Sequence, residues 1–179
     1  MTNAAIPAGD QAWLDQVVES PLDAKRPIID PHHHLWPDTG PLLYGPADLA
    51  ADTGAGHNIV ATLFMECSAA YRVSGPTRLL SVGETECVAQ SADWLTINHS
   101  DSPPIAGIIG HADLADAAHL DEVLDAHTAA AGGRFRGIRD ALALATEPEA
   151  MMIAGMNPAG NGARPLRHTL RRRAVRRSA

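Results

Sequence analysis

The chain reads as an α/β protein built on a parallel sheet, and three observations predict this. Its clearest strand segments are apolar almost throughout rather than alternating, as strands buried on both faces are. Each strand is followed by helical or loop text, recurring roughly every 30 to 45 residues, which is βα-unit spacing. Polar residues also gather just after each strand: the His32 to His34 run, Glu66, His111 with Asp113, and Arg139. In α/β folds the carboxyl ends of parallel strands are where sites are assembled.

Ala12 to Glu19 is expected to form a short helix before Pro21 and a polar link to Arg26-Pro27. Ile28-Ile29-Asp30 is the first strand and ends on Pro31 and the histidines. The second runs from Asn58 to Glu66, its first acidic residue standing at its end. Val82 to Leu95 follows as a helix with an imperfect apolar stripe. Pro104 to Gly110 is the third strand. Asp116 to Ala131 is the best helix, with Leu120, Val123, Leu124 and His127 on one face and Gly132-Gly133 as its stop. Phe135 to Ile138 is the fourth strand, ending in Arg139-Asp140, and Glu147 to Ala154 is read as a further short helix.

Composition narrows the functional classes. At 179 residues the chain fits one domain, with an ordinary 45% of hydrophobic residues but only 4% aromatics, so Ala, Ile, Leu and Val must fill the core. No apolar run is long enough to span a bilayer, and the first ten residues lack a secretory pattern, so no membrane association and a cytoplasmic location are expected. Cys67 and Cys87 are not in CxxC spacing, which argues against a zinc knuckle or redox pair. Of the 14 Lys and Arg residues, seven are arginines between Arg164 and Arg177; the rest of the chain holds the other seven against all 21 acidic residues. Such an acidic body does not suggest nucleic-acid binding.

His32 and His34 are the strongest chemical signal. Two residues apart on an extended segment, they project to one side and can meet one divalent cation, zinc being the best fit to imidazole. A polar loop or local bias in composition is the competing explanation of an isolated HxH, weakened here by the preceding apolar strand and Asp30. His33, pointing the other way, is read as structural. Glu66 either contacts substrate or orients one of these histidines, or is simply the first solvated position. His111 follows Gly110, which lets the backbone turn, and is a candidate for substrate binding or for supporting a metal; a structural histidine is the alternative. Arg139 suits a carboxylate or lactone oxygen, or else an ion pair with Asp140 or Asp113. His57, His119 and His127 are read as packing or surface residues.

Pro27-Ile28-Ile29-Asp30-Pro31-His32-His33-His34-Leu35-Trp36 closely resembles the first-strand signature of the amidohydrolase-related family of the amidohydrolase superfamily. Similar in kind are Gly56 to Thr62 with Glu66-Cys67, Gly83-Glu84-Thr85-Glu86, Ala106 to Asp113, and Arg134 to Arg139, so the resemblance covers roughly residues 26 to 140 in order. It implies a (β/α)8 TIM barrel, here a partial one of about four βα units. It also implies metal-assisted or lactonase-type hydrolysis of a small carboxylated or lactone substrate, with His32 and His34 as first-strand metal ligands. Decarboxylases share this branch. The absence of any Lys after Lys25 argues against a bridged two-metal site, so at most one divalent metal ion, zinc foremost, is expected.

The domain reading is an extension over 1–25, the N-terminal half of such a barrel over 26–156, and an Arg-rich segment over 157–179. The family's later metal ligands, a His on each of strands five and six and an Asp on strand eight, have no counterpart here. A reading-frame shift in a GC-rich gene explains the last segment, because such codons yield mainly Arg, Ala, Pro and Gly; a basic tail for nucleic acid or an anionic surface is the alternative. Two non-hydrolase outcomes therefore stand beside the enzyme: an inactive half-barrel, and one that self-associates as a homo-oligomer through open sheet edges.

Overall fold

A computed structural model of the chain describes residues 16–17, 19–37 and 43–140. The expected helix at Ala12 to Glu19 and most of the 1–25 extension lie largely outside these residues. The expected helix at Glu147 to Ala154 and the Arg-rich segment lie wholly outside them.

Among the described residues, four strands form one parallel sheet: β1 (Pro27–His33), β2 (Asn58–Met65), β3 (Ile105–His111) and β4 (Phe135–Arg139), in the spatial order β1-β2-β3-β4. Three α-helices accompany them: α1 (Pro46–Thr53), α2 (Val82–Asn98) and α3 (Leu120–Ala130), with a 3-10 turn at Thr77–Leu79. Each strand lies beside its predecessor in sequence and the order never reverses. Right-handed crossovers then carry every connection over the same face. Among the described residues the sheet is open, with β1 and β4 at its edges.

The core lies between the sheet and the helices. Phe64 on β2 and its register partner Ile108 on β3, with Ile105, pack against Val88, Ala89, Ala92 and Leu95 of α2 and Leu49 of α1. The Phe, Ile, Val and Leu side chains among them each contribute about 1.5–3 kcal/mol on burial. Alternation along the strands sends Leu63, Met65 and Ile109 to the other face, where they stay half-buried. Among the described residues, helices pack on one face of the sheet and the other is only partly covered.

Boundaries differ from expectation in instructive ways. The β1 ladder runs on through the histidines because a bulge between Asp30 and His33 lets the strand continue past Pro31. Helix α3 begins at Leu120 rather than Asp116: residues 116–119 form a turn in which the Asp116 carboxylate accepts from His119 Nδ1 at 2.9 Å. Helix α1 was not expected. Pro46 opens it, and the Asp48 carboxylate accepts from Gly45 N at 2.8 Å, satisfying a donor that the helix start would leave free.

Gly110 has a different purpose from the sharp turn expected of it. A Cβ there would lie 2.7 Å from the His127 ring, so the missing side chain is the space the imidazole occupies. His127 is wholly buried, stacks on Phe135 at 5.4 Å, and bonds Thr85 Oγ1 through Nδ1 (2.8 Å) and the His111 carbonyl through Nε2 (3.0 Å). Burial holds its pKa below the usual histidine value. Gly110→Ala should cost about 2 kcal/mol, the range for overpacking a core, read as a lower urea midpoint; an unchanged midpoint would show that the ring can move aside freely.

Candidate functional site

The β1 bulge sorts the three histidines. His33 turns toward the helices, where it is buried against Phe64 with ring centroids 5.9 Å apart. Burial lowers its pKa, and neither of its ring nitrogens has a hydrogen-bond partner among the described residues. His32 and His34 leave from the opposite side of the strand. Their Nε2 atoms lie 3.3 Å apart. The Asp30 carboxylate accepts from His32 N at 3.0 Å and fixes the backbone from Asp30 to His32.

His34 Nδ1 lies 2.7 Å from the Met65 carbonyl oxygen. A carbonyl can only accept, so Nδ1 carries a proton, and in the neutral form of the ring the lone pair is on Nε2. That lone pair faces His32. Two imidazole nitrogens about 2.0–2.1 Å from one zinc ion at a tetrahedral angle stand about 3.3 Å apart, so the pair fits two positions of such a site. Among the described residues no cluster of three or more His, Cys, Asp or Glu groups is placed to hold a metal ion.

Glu66 follows directly on Met65 and is not the solvated strand end one reading expected. It is 5% exposed. Its Oε1 accepts from Tyr71 OH (2.6 Å) and Ser68 Oγ (2.9 Å), its Oε2 accepts from Arg139 Nε (3.1 Å), and its backbone carbonyl accepts from Arg139 Nη2. Burial pushes the carboxyl pKa up, but the bonds from Tyr71, Ser68 and Arg139 and the proximity of His111 outweigh it and hold the value below the ordinary range. The ionised carboxylate is thus occupied in holding Arg139. It does not bond His32 or His34; the neighbouring Met65 carbonyl orients His34 instead.

Arg139 pairs with Glu66, not with Asp140 or Asp113. Its side chain remains 39% exposed, leaving part of the guanidinium open. His111, the register partner of Arg139, has Nε2 at 3.6 Å from Asp140 Oδ1, and Asp140 also accepts from Leu114 N at 3.1 Å. The structure therefore brings together His32 with His34, and Glu66 with Arg139. His111 joins through the β3–β4 register and through Tyr71, whose ring centroid is 6.2 Å away. The adjacent Met65 and Glu66 link the two groups. A cleft of about 180 Å³ opens beside His111 and Tyr71 but is not lined by His32, His34 or Arg139.

Sequence reasoning missed Tyr71, Ser68 and Asp140 as partners, and gave no role to Glu84. Ser68 sits at φ 60°, in the left-handed region that costs a non-glycine residue about 1–2 kcal/mol. The thiols are poor nucleophiles: burial and the nearby Glu84 push Cys67 up to about 12, and burial raises Cys87. No helix among the described residues is long and apolar enough to cross a membrane.

Tyr71→Phe removes a hydrogen bond to a buried carboxylate, and should cost about 2 kcal/mol at pH 7. Because the folded-state pKa of Glu66 is lowered, its stabilisation is present above the usual carboxylate value and is lost as pH falls through the folded value. The gap between wild type and variant should then narrow below about pH 4.5, followed by urea unfolding across pH; a gap of constant size would disconnect Tyr71 from the ionised form of Glu66.

Comparisons of the chain with protein-family models, with curated proteins and with solved structures give no match.

Proposed function

We propose that the chain is an amidohydrolase-type hydrolase unit that acts at the carboxyl ends of β1 to β4 on a small carboxylated or lactone substrate. In this reading His32 and His34 hold one divalent ion, zinc by ligand chemistry, and the sheet is part of a (β/α)8 barrel. The observation that carries it is the His32–His34 pair: two Nε2 atoms 3.3 Å apart, one with its lone pair fixed by the Met65 carbonyl. A strand order that never reverses supports the barrel part, since a closed barrel requires that winding and a doubly wound sheet does not have it.

The bound ion would supply a Lewis acid that polarises a carbonyl or makes water acidic near neutral pH. The chain's own groups would act beside it. Met65 O keeps His34 in the tautomer whose Nε2 can coordinate. Glu66 holds the Arg139 guanidinium so that its open part can take a substrate carboxylate or lactone oxygen. His111, beside Asp140 and the register partner of Arg139, would contact the same substrate.

Equilibrium dialysis with zinc followed by elemental analysis should give about one ion per chain, with affinity falling at least tenfold in His32→Ala and in His34→Ala. A panel of lactones should be hydrolysed, with turnover lost to a chelator and restored by zinc. Zinc binding that survives both substitutions, or turnover indifferent to chelator, would falsify the proposal. A second reading, the inactive half-barrel that self-associates, is favoured by one observation: among the described residues β1 and β4 are open edges. An apo assembly larger than one chain, with no turnover, would select it.

A further inference from the structure

The segment Gly83-Glu84-Thr85-Glu86 opens α2, and the proposed reaction leaves it without a task. All four residues nevertheless reach the loops that carry the candidate site. A Cβ on Gly83 would lie 2.6 Å from Arg72 N and 2.9 Å from the Ala70 carbonyl oxygen, so the helix start is pressed directly against the loop backbone after β2. Glu84, only 2% exposed, turns its carboxyl group into the same loop. Its Oε1 accepts from Ala69 N at 2.8 Å, Cys67 N at 3.3 Å and Cys67 Sγ at 3.5 Å. Thr85 holds His127, which in turn donates to the His111 carbonyl. Glu86 forms an ion pair with Arg72 at the far end of the loop.

We infer that Glu84 is a positioning residue, which latches the loop after β2 so that Ser68 and Tyr71 hold Glu66 and Glu66 aims Arg139 into the site. The two N–H groups it captures flank Ser68, the residue at φ 60°. That arrangement compensates the unfavourable backbone of Ser68 and directs its hydroxyl to Glu66 Oε1 at 2.9 Å. The chain of contacts is continuous: Glu84 to Cys67 and Ala69, Ser68 and Tyr71 to Glu66, Glu66 to Arg139. Burial raises the Glu84 pKa, and the bonds accepted from Ala69 and Cys67 pull it partly back down. Its meaning for catalysis rests on the proposed function; its geometry does not.

The test reads Arg139 directly. Its Nε–H donates to a buried carboxylate, so it should give a distinct, slowly exchanging signal in a proton–nitrogen correlation spectrum, assigned by its loss in Arg139→Lys. Glu84→Met keeps the length of the side chain but removes both oxygens. It should move that signal to the position of a free arginine and speed its exchange at least tenfold. Glu84→Gln retains an oxygen in the Oε1 position and should leave the signal in place. Val88→Ala, a core truncation one turn along α2, should lower the melting temperature without moving it. The inference fails if folded Glu84→Met keeps the wild-type signal, or if Glu84→Gln loses it equally. Should Glu84→Met not fold, Glu84→Asp retracts the carboxyl by one methylene and answers the same question: a displaced signal supports the latch, an unmoved one overturns it. Neither metal nor turnover enters the measurement, so its outcome is separate from that of the zinc and lactone experiments.

Discussion

The close seating of the first turn of α2 on the loop after β2 is the contact on which the rest of the site depends. A parallel strand that ends in a loop leaves backbone donors that must find partners once water is excluded. Here the buried Glu84 carboxyl group takes two of them, from Cys67 and Ala69. Gly83 makes this possible, because any side chain there would collide with the Arg72 backbone. From that fixed loop the network extends through Tyr71 and Ser68 to Glu66, and across to Arg139 on the edge strand. One residue further along α2, Thr85 and the buried His127 tie the end of β3 to the same helix. A single helix terminus therefore braces the ends of β2 and β3 and, through Glu66, β4.

β1 is organised by different means. Its bulge turns His33 inward against Phe64 and leaves His32 and His34 on the other side. Across the strands, His34 Nδ1 donates to the main-chain carbonyl of Met65. The histidine pair and the Arg139 group are thus held by neighbouring residues, Met65 at the end of β2 and Glu66 directly after it. Moving the end of β2 would disturb both at once, which gives the latch at Glu84 a reach beyond the loop it touches.

The parts of this arrangement that were legible in the sequence are those set by local pattern. Apolar runs and βα spacing located the four strands of the described residues, and the HxH spacing paired His32 with His34 because alternation on an extended segment is a local rule. Partners distant in sequence were not legible. Arg139 finds Glu66 across 73 positions, where the nearby Asp140 and Asp113 looked like the natural ion pairs. Glu66 looked solvated because it ends a strand, yet the loop folds back over it and buries it. Gly110 signalled a turn by its residue type, while the actual constraint is a histidine on a helix that starts ten residues later. Helix α1 escaped notice because its start signals, Pro46 and Asp48, sit in text rich in glycine and proline.

The central claim is that His34 is held in the tautomer that leaves Nε2 free to coordinate, and this can be measured without substrate. Long-range proton–nitrogen correlations of the histidine rings, recorded before and after addition of zinc, report the protonation of each nitrogen. The account predicts a protonated Nδ1 in His34, with the Nε2 resonances of both His32 and His34 shifting on saturation with one ion. A proton on Nε2 of His34, or zinc that leaves both rings unperturbed, would contradict it.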